Sequence, residues 1–171
     1  QKGLMTPPGL GLIWMSERAR KALDEFECPS YYFDLKLNLD KMKEGSMQNP
    51  YTPPVSLYYA LDAALDIILE NGVEAWFAKR RAFADAFAAA LEVLGFDLFV
   101  KDKALRSAGL TAFTPAEKEP EAVRKALTKA GFETAGGQGK LKGHLIRSAH
   151  YTDWNFGDMM TILKAMAAAN D

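Results

Sequence analysis

A few residues in this sequence have side chains suited to chemistry, and their surroundings separate them. Lys2 carries a primary amine between Gln1 and Gly3, just ahead of Thr6-Pro7-Pro8-Gly9. A lysine taken alone is usually a solvated, solubilising group; in its neutral form it is a nucleophile toward carbonyl carbons. Arg147 stands in the run His144-Leu145-Ile146-Arg147-Ser148-Ala149. A guanidinium in so apolar a strand calls for a specific anionic partner, and the alternative is a strand-end arginine paired with a surface carboxylate. His144 and His150 are the two histidines, and in an extended chain they would lie roughly 20 Å apart at about 3.3 Å per residue, too far to share a metal. Gly136-Gly137-Gln138-Gly139 is glycine-rich but precedes a strand rather than a helix, so it reads as a tight turn and not as a phosphate cradle. Thr52 reads as part of a helix-entry turn. Cys28, the sole cysteine, rules out an intrachain disulfide or a cysteine-cluster zinc site, and before Pro29 it reads as a small buried hydrophobe.

The elements that must position these groups follow from pattern. Leu10 to Met15 is a short apolar run compatible with a buried strand or a helix entry. Ser16 can cap a helix over Glu17 to Leu23, which stops at Cys28-Pro29. Tyr31 to Asp34 is β-like, Asn38 to Met47 is polar and loop-like, and the prolines at 50, 53 and 54 fix the entry to the longest helical pattern. Ser56 can cap a helix to about Glu70, with Leu57, Ala60, Leu61, Ala64, Leu65 and Ile68 at helical spacing. Asn71-Gly72 gives a left-handed stop, and a second helix runs from about Val73 to Leu94. Beyond Gly95 the pattern predicts strands at 96–100, 109–113, 132–134 and 144–149, with helices at 121–130 and 155–169, the last capped by Asp153 or Asn155. That order gives a small sheet with helices on one face.

Composition narrows the classes. The chain has 171 residues, 49% hydrophobic and 25% charged, with net charge -1, as expected of a folded globular protein. It offers no general attraction to phosphate backbones or anionic lipid, so neither nucleic acid nor membrane is expected as a partner. Lys79-Arg80-Arg81 reads as a solvated helix turn. No apolar run is long enough to span a bilayer and no signal peptide is visible, so a cytoplasmic, reducing location is expected. A structured loop opening the chain without supporting elements suggests sequence removed upstream.

The order and spacing of several segments give the chain a family likeness. Gln1-Lys2-Gly3-Leu4-Met5-Thr6-Pro7-Pro8-Gly9 resembles the S-x-Q-K-x-L-x-x-P-P-G segment of class-V pyridoxal-phosphate aminotransferases of the alanine-glyoxylate and serine-pyruvate type. Pro50-Tyr51-Thr52-Pro53-Pro54-Val55-Ser56-Leu57 resembles their T-x-P-V-x-x-L segment, and Gly136 to Gly139 with His144 to Ala149 resembles their G-G-x-G turn and R-I-G strand. The resemblance covers essentially the whole chain and implies an α/β fold, the C-terminal part of an aspartate-aminotransferase-like transferase. On it, residues 1–50 end the large cofactor-binding domain, 51–94 form linking and interdomain helices, and 95–171 form the small C-terminal domain. It implies that Lys2 bears the cofactor aldehyde and acts as general acid-base, in surroundings that favour the neutral amine. It implies that Arg147 binds the substrate α-carboxylate in bidentate fashion, that Gln1 contacts the cofactor phosphate, and that Thr52 reaches that phosphate from the neighbouring subunit of a homodimer. Where the family has a phosphate-contacting tyrosine, this chain has Asn49, which weakens the match there. No metal site is implied. The implied reaction moves an amino group between alanine or serine and glyoxylate or pyruvate. The portion in hand is expected to be inactive alone, since the resemblance places the aspartate, stacking aromatic and phosphate loop upstream. Other readings are a non-catalytic α/β interaction or ligand-binding module, and a lyase or desulfurase with the same cofactor and fold.

Overall fold

A computed structural model describes residues 1–43 and 48–170. The chain divides into two compact units, one holding Gln1 and Thr6–Ala63, the other Lys2–Met5 and Ala64–Asp171.

The first unit contains α1 (Glu17–Glu25), α2 (Leu35–Lys43) and the start of α3 (Val55–Leu69). Ser16 caps α1 as its type and position predict, its hydroxyl accepting from the Ala19 amide at 3.3 Å. Four sequence expectations differ from the structure here. Leu10 to Met15 is neither strand nor helix but irregular chain, with Leu12, Ile13 and Trp14 exposed; an apolar run becomes a strand only against a partner ladder, and no described residue supplies one. Tyr31 to Phe33 forms a turn rather than a strand, held by side chains: Tyr31 donates to the Pro50 carbonyl, Tyr51 donates to the Tyr32 carbonyl, and the Tyr32 and Tyr51 rings stack with centroids 4.6 Å apart. Asn38 to Lys43 is helical, because Asp34 caps α2 by accepting from the Leu37 amide at 3.1 Å; residues 44–47 of the expected loop lie outside the described residues. Ser56 is inside α3 and does not cap it, since the carbonyl of Pro54 already accepts from the amides of Leu57 and Tyr58. Cys28 is half-buried, its thiol directed at the Ser30 carbonyl at 3.3 Å.

The second unit is built on an antiparallel sheet of β1 (Phe96–Leu98), β2 (Leu110–Pro115), β3 (Ala135–Gly136) and β4 (Ile146–Ala149), in spatial order β1-β2-β4-β3. α4 (Val73–Val93), α5 (Pro120–Lys129) and α6 (Phe156–Asn170) cover one face. The stripe Phe83, Phe87, Leu91 of α4 meets Val123 and Leu127 of α5, Ile162 and Met166 of α6, and Phe96, Leu98, Phe113 and Ile146 of the strands in a single core. Each such large side chain contributes about 1.5–3 kcal/mol by leaving water. Gly72, at φ 88°, separates α3 from α4. α6 begins with a reciprocal cap: Asn155 Oδ1 accepts from the amides of Gly157 and Asp158, and Asp158 accepts from the Asn155 amide. Asn155 therefore caps α6, not Asp153. The expected strand at 132–134 forms three residues later, because half-buried Phe132 packs against the core and donates its amide to the Leu127 carbonyl. Gly136 is in β3, whereas Gly139–Leu141 is a short 3-10 turn. Trp76 is only partly buried.

Candidate active site

Arg147 is fixed by strand alternation. On β4, Ile146 and Ser148 point into the core while Arg147 is half-exposed on the opposite, uncovered face. Its Nε donates to the Gly136 carbonyl of the edge strand β3 at 2.8 Å. That bond orients the guanidinium and leaves both terminal nitrogens uncommitted; among the described residues no carboxylate pairs with Arg147. The surface-carboxylate alternative is thus not what holds this arginine. A planar fork with two free donor nitrogens, anchored at its base, is the geometry that binds a carboxylate through two parallel hydrogen bonds.

The loop that presents Gly136 depends on Gly137. A Cβ at that position would fall 1.8 Å from the Leu141 carbonyl oxygen, so the segment closes only with glycine. The Gly137 amide donates to the Leu145 carbonyl at 3.2 Å, tying the loop to the residue before β4. Arg124 of α5 supports β3 from below, donating to the Thr134 carbonyl at 3.1 Å and pairing with Glu121 at 2.7 Å.

Lys2 begins a turn closed by the Met5 amide on the Lys2 carbonyl at 2.9 Å. Met5 has φ 55° and is the non-glycine residue in the left-handed region among those described. Such strain costs on the order of 1 kcal/mol and persists where the surrounding chain dictates it. The Lys2 amine is exposed and has no hydrogen bond or ion pair among the described residues, so this chain leaves it free but does not bury it. Lys2 and Arg147 belong to the same unit, with no direct bond between them. Gln1 and Thr52 belong to the other; both are exposed, and neither side chain is hydrogen-bonded among the described residues. Tyr51, next to Thr52, spends its hydroxyl on the Tyr32 backbone at 3.2 Å and does not take over the role that Asn49 leaves open.

Sequence reading missed two buried polar groups. Arg80 is 5% exposed rather than solvated: it donates to the carbonyls of Thr152 and Trp154 and lies over the rings of Trp76 and Phe83. Burial lowers its pKa, against the attraction of Asp153. His150 is 1% exposed, with Nε2 2.8 Å from Thr111 Oγ1 and with Nδ1 unpartnered. Burial, helped by the Arg80 charge, pushes it down to about 4, so it is neutral near pH 7. Periodicity could have found both: Arg80 precedes Phe83 and Phe87 by three and seven residues on the buried stripe, and His150 continues the inward alternation of Ile146 and Ser148. Among the described residues there is no cluster of histidine, cysteine and carboxylate that could hold a metal, and no helix is long and apolar enough to cross a membrane.

The family model for class-V aminotransferases fits residues 1–144, and the chain belongs to that family. It is 34% identical over 170 residues to the soluble hydrogenase small subunit of Synechococcus sp. (strain PCC 6716), covering 98% of this chain and 43% of that protein. It is 38% identical over 152 residues to an uncharacterized aminotransferase of Methanocaldococcus jannaschii, covering 88% of this chain and 39% of that one. The crystal structure of alanine-glyoxylate aminotransferase from Nostoc sp. superimposes with a TM-score of 0.86 at 27% identity, over 100% of this chain and 46% of that one. The aspartate-aminotransferase-like α/β fold is therefore established, and the chain spans less than half the length of these relatives.

The donor set can be tested against pyridoxal phosphate, the family's cofactor. The group needs an uncommitted amine, and its phosphate needs uncommitted donors. Lys2, Thr52 and Gln1 each have a side chain of that chemical type, with no hydrogen bond to another group among the described residues.

Proposed function

We propose that the protein carrying this chain is a pyridoxal-phosphate transaminase that moves an amino group between a small amino acid, alanine or serine, and a small 2-oxo acid, glyoxylate or pyruvate. The supporting observation is the Arg147 guanidinium, anchored through Nε and open at both terminal nitrogens, in a chain of the class-V family.

When bound, pyridoxal phosphate supplies an aldehyde and an electron-withdrawing ring that stabilises negative charge at the substrate α-carbon. Lys2 holds the group through its amine and, once released, carries a proton to and from that carbon. Arg147 grips the α-carboxylate and fixes the orientation of the bond that reacts. Gln1 donates to the cofactor phosphate, and Thr52 donates to the phosphate held by the neighbouring subunit of a homodimer. Residues 1–50 then close the large domain, 51–94 link the domains, and 95–171 form the small domain that carries the arginine. The protein acts in the cytoplasm.

The test is amino transfer by the full-length protein, with alanine and glyoxylate compared against cysteine. Lys2→Ala should abolish turnover. Arg147→Lys should raise the KM for the amino acid about 10- to 100-fold, the worth of a charge-assisted bidentate contact. Turnover retained by Lys2→Ala, or sulfur release from cysteine in place of amino transfer, would refute the proposal.

A further inference from the structure

The strand register places specific residues beside Arg147. Ala112 of β2 is directly opposite it on one side, and Ala135 of β3 is directly opposite on the other. Residues facing one another across antiparallel strands point to the same side, with Cβ atoms about 4.5–5.5 Å apart. Both alanines therefore share the uncovered face with Arg147. Ala112 is half-exposed and Ala135 exposed. These are the positions from which a longer side chain would reach the guanidinium, and each carries only a methyl group. Cross-strand neighbours of a sheet arginine would ordinarily be suitable places for an acidic partner; here both are silent. The Gly136 carbonyl meanwhile accepts from Nε, which steers the side chain across β3 without neutralising it.

We propose that Ala112 and Ala135 are specificity-determining residues: by denying Arg147 an internal counter-ion and leaving space beside it, they reserve its terminal nitrogens for a free carboxylate. This rests on the assignment of Arg147 as the substrate-carboxylate group. A glutamate at either position is tethered beside the guanidinium and competes with the ligand at an effective concentration that free substrate must exceed. An isosteric glutamine occupies the same space without the charge, so the ratio between the two variants isolates the ion pair from the added bulk.

The measurement is made on the full-length holoenzyme with propionate, a carboxylate that lacks an amino group and cannot react. Its dissociation constant is read by calorimetry and the KM for alanine by steady-state kinetics. Ala135→Glu should bind propionate about two- to fivefold more weakly than Ala135→Gln, as expected when a partly exposed ion pair occupies the site, and the kinetic effect should fall on KM more than on kcat. Ala112→Glu and Ala112→Gln repeat the comparison from the opposite strand and serve if the first pair does not fold. Glutamate and glutamine variants that bind propionate equally would overturn the inference. Arg147→Lys separates the two levels: if it leaves propionate affinity intact, the assignment of Arg147 has failed, whereas weakened binding in Arg147→Lys with no glutamate effect condemns the alanines alone.

Discussion

Replacing His150 with glutamine should make the second unit less sensitive to acid. The imidazole is 1% exposed and packs against the rings of Phe83 and Phe87, 5.4 and 5.6 Å away by centroid. Burial, with a smaller contribution from the charge of Arg80, lowers its pKa from 6.5 to about 4. Above pH 6.5 the folded and unfolded chains both hold it neutral, and it adds no pH dependence. Between 6.5 and about 4 only the unfolded chain takes the proton, so stability drains as the pH falls; below about 4 both states are protonated and the loss is complete. At about 1.4 kcal/mol per unit, the fall from 6.5 to about 4 amounts to about 3 kcal/mol. His150→Gln keeps a polar group for Thr111 and removes the titration. Urea unfolding at a series of pH values, followed by tryptophan fluorescence, to which Trp154, whose ring is 6.2 Å from that of Phe83, contributes, gives both curves. The stability advantage of the histidine protein over the variant should shrink by about 3 kcal/mol from pH 7 to pH 4. Parallel curves would refute the claim that a buried neutral imidazole is at stake.

Substitutions at three other positions test the packing of the chain. Arg80→Met keeps the aliphatic stem but strips the donors from the carbonyls of Thr152 and Trp154; a loss of about 2–4 kcal/mol is expected in chemical unfolding, and a loss below about 1 kcal/mol would mean that water replaces the guanidinium. Gly137→Ala forces backbone apart at the Leu141 carbonyl; a lower thermal midpoint is expected, with faster hydrogen exchange at the amide of that position, and unchanged exchange would show that the turn relaxes freely. Met5→Val places a β-branched residue at φ 55°, and about 1 kcal/mol or more should be lost, whereas Met5→Gly should be tolerated; equal stability of the two would show that no strain is held there.

The elements of the second unit were largely legible because their signals are local. The stripe of α4, the break at Gly72 and the Asn155 cap are written in residue types a few positions apart. Strand order was not legible, because nothing local says that β4 inserts between β2 and β3, and with it went the facts that Ala112 and Ala135 flank Arg147 and that Gly136 anchors it. Burial of Arg80 was hidden by the charge of its neighbours Lys79 and Arg81, which do point outward; the apolar stripe outweighed the charge run. In the first unit the misreading of Tyr31 to Asp34 has a long-range cause. Tyr31, Tyr32 and Tyr51 have strand-forming side chains, yet Tyr31 and Tyr51 satisfy their hydroxyls on backbone carbonyls nineteen residues away, a long-range competition that β propensity does not register. The candidate residues Gln1, Lys2, Thr52 and Arg147 came from the family resemblance, and what geometry adds is that the Lys2 amine, the Gln1 and Thr52 side chains and the terminal nitrogens of Arg147 are uncommitted among the described residues.

The lysine that carries the cofactor can be identified chemically. The full-length protein is incubated with pyridoxal phosphate, reduced with borohydride, digested, and its peptides are sequenced by mass spectrometry. A phosphopyridoxyl mass increment is expected on Lys2 alone, absent from Lys2→Ala. The same increment on a different lysine, or a stable cofactor adduct that survives in Lys2→Ala, would contradict the assignment.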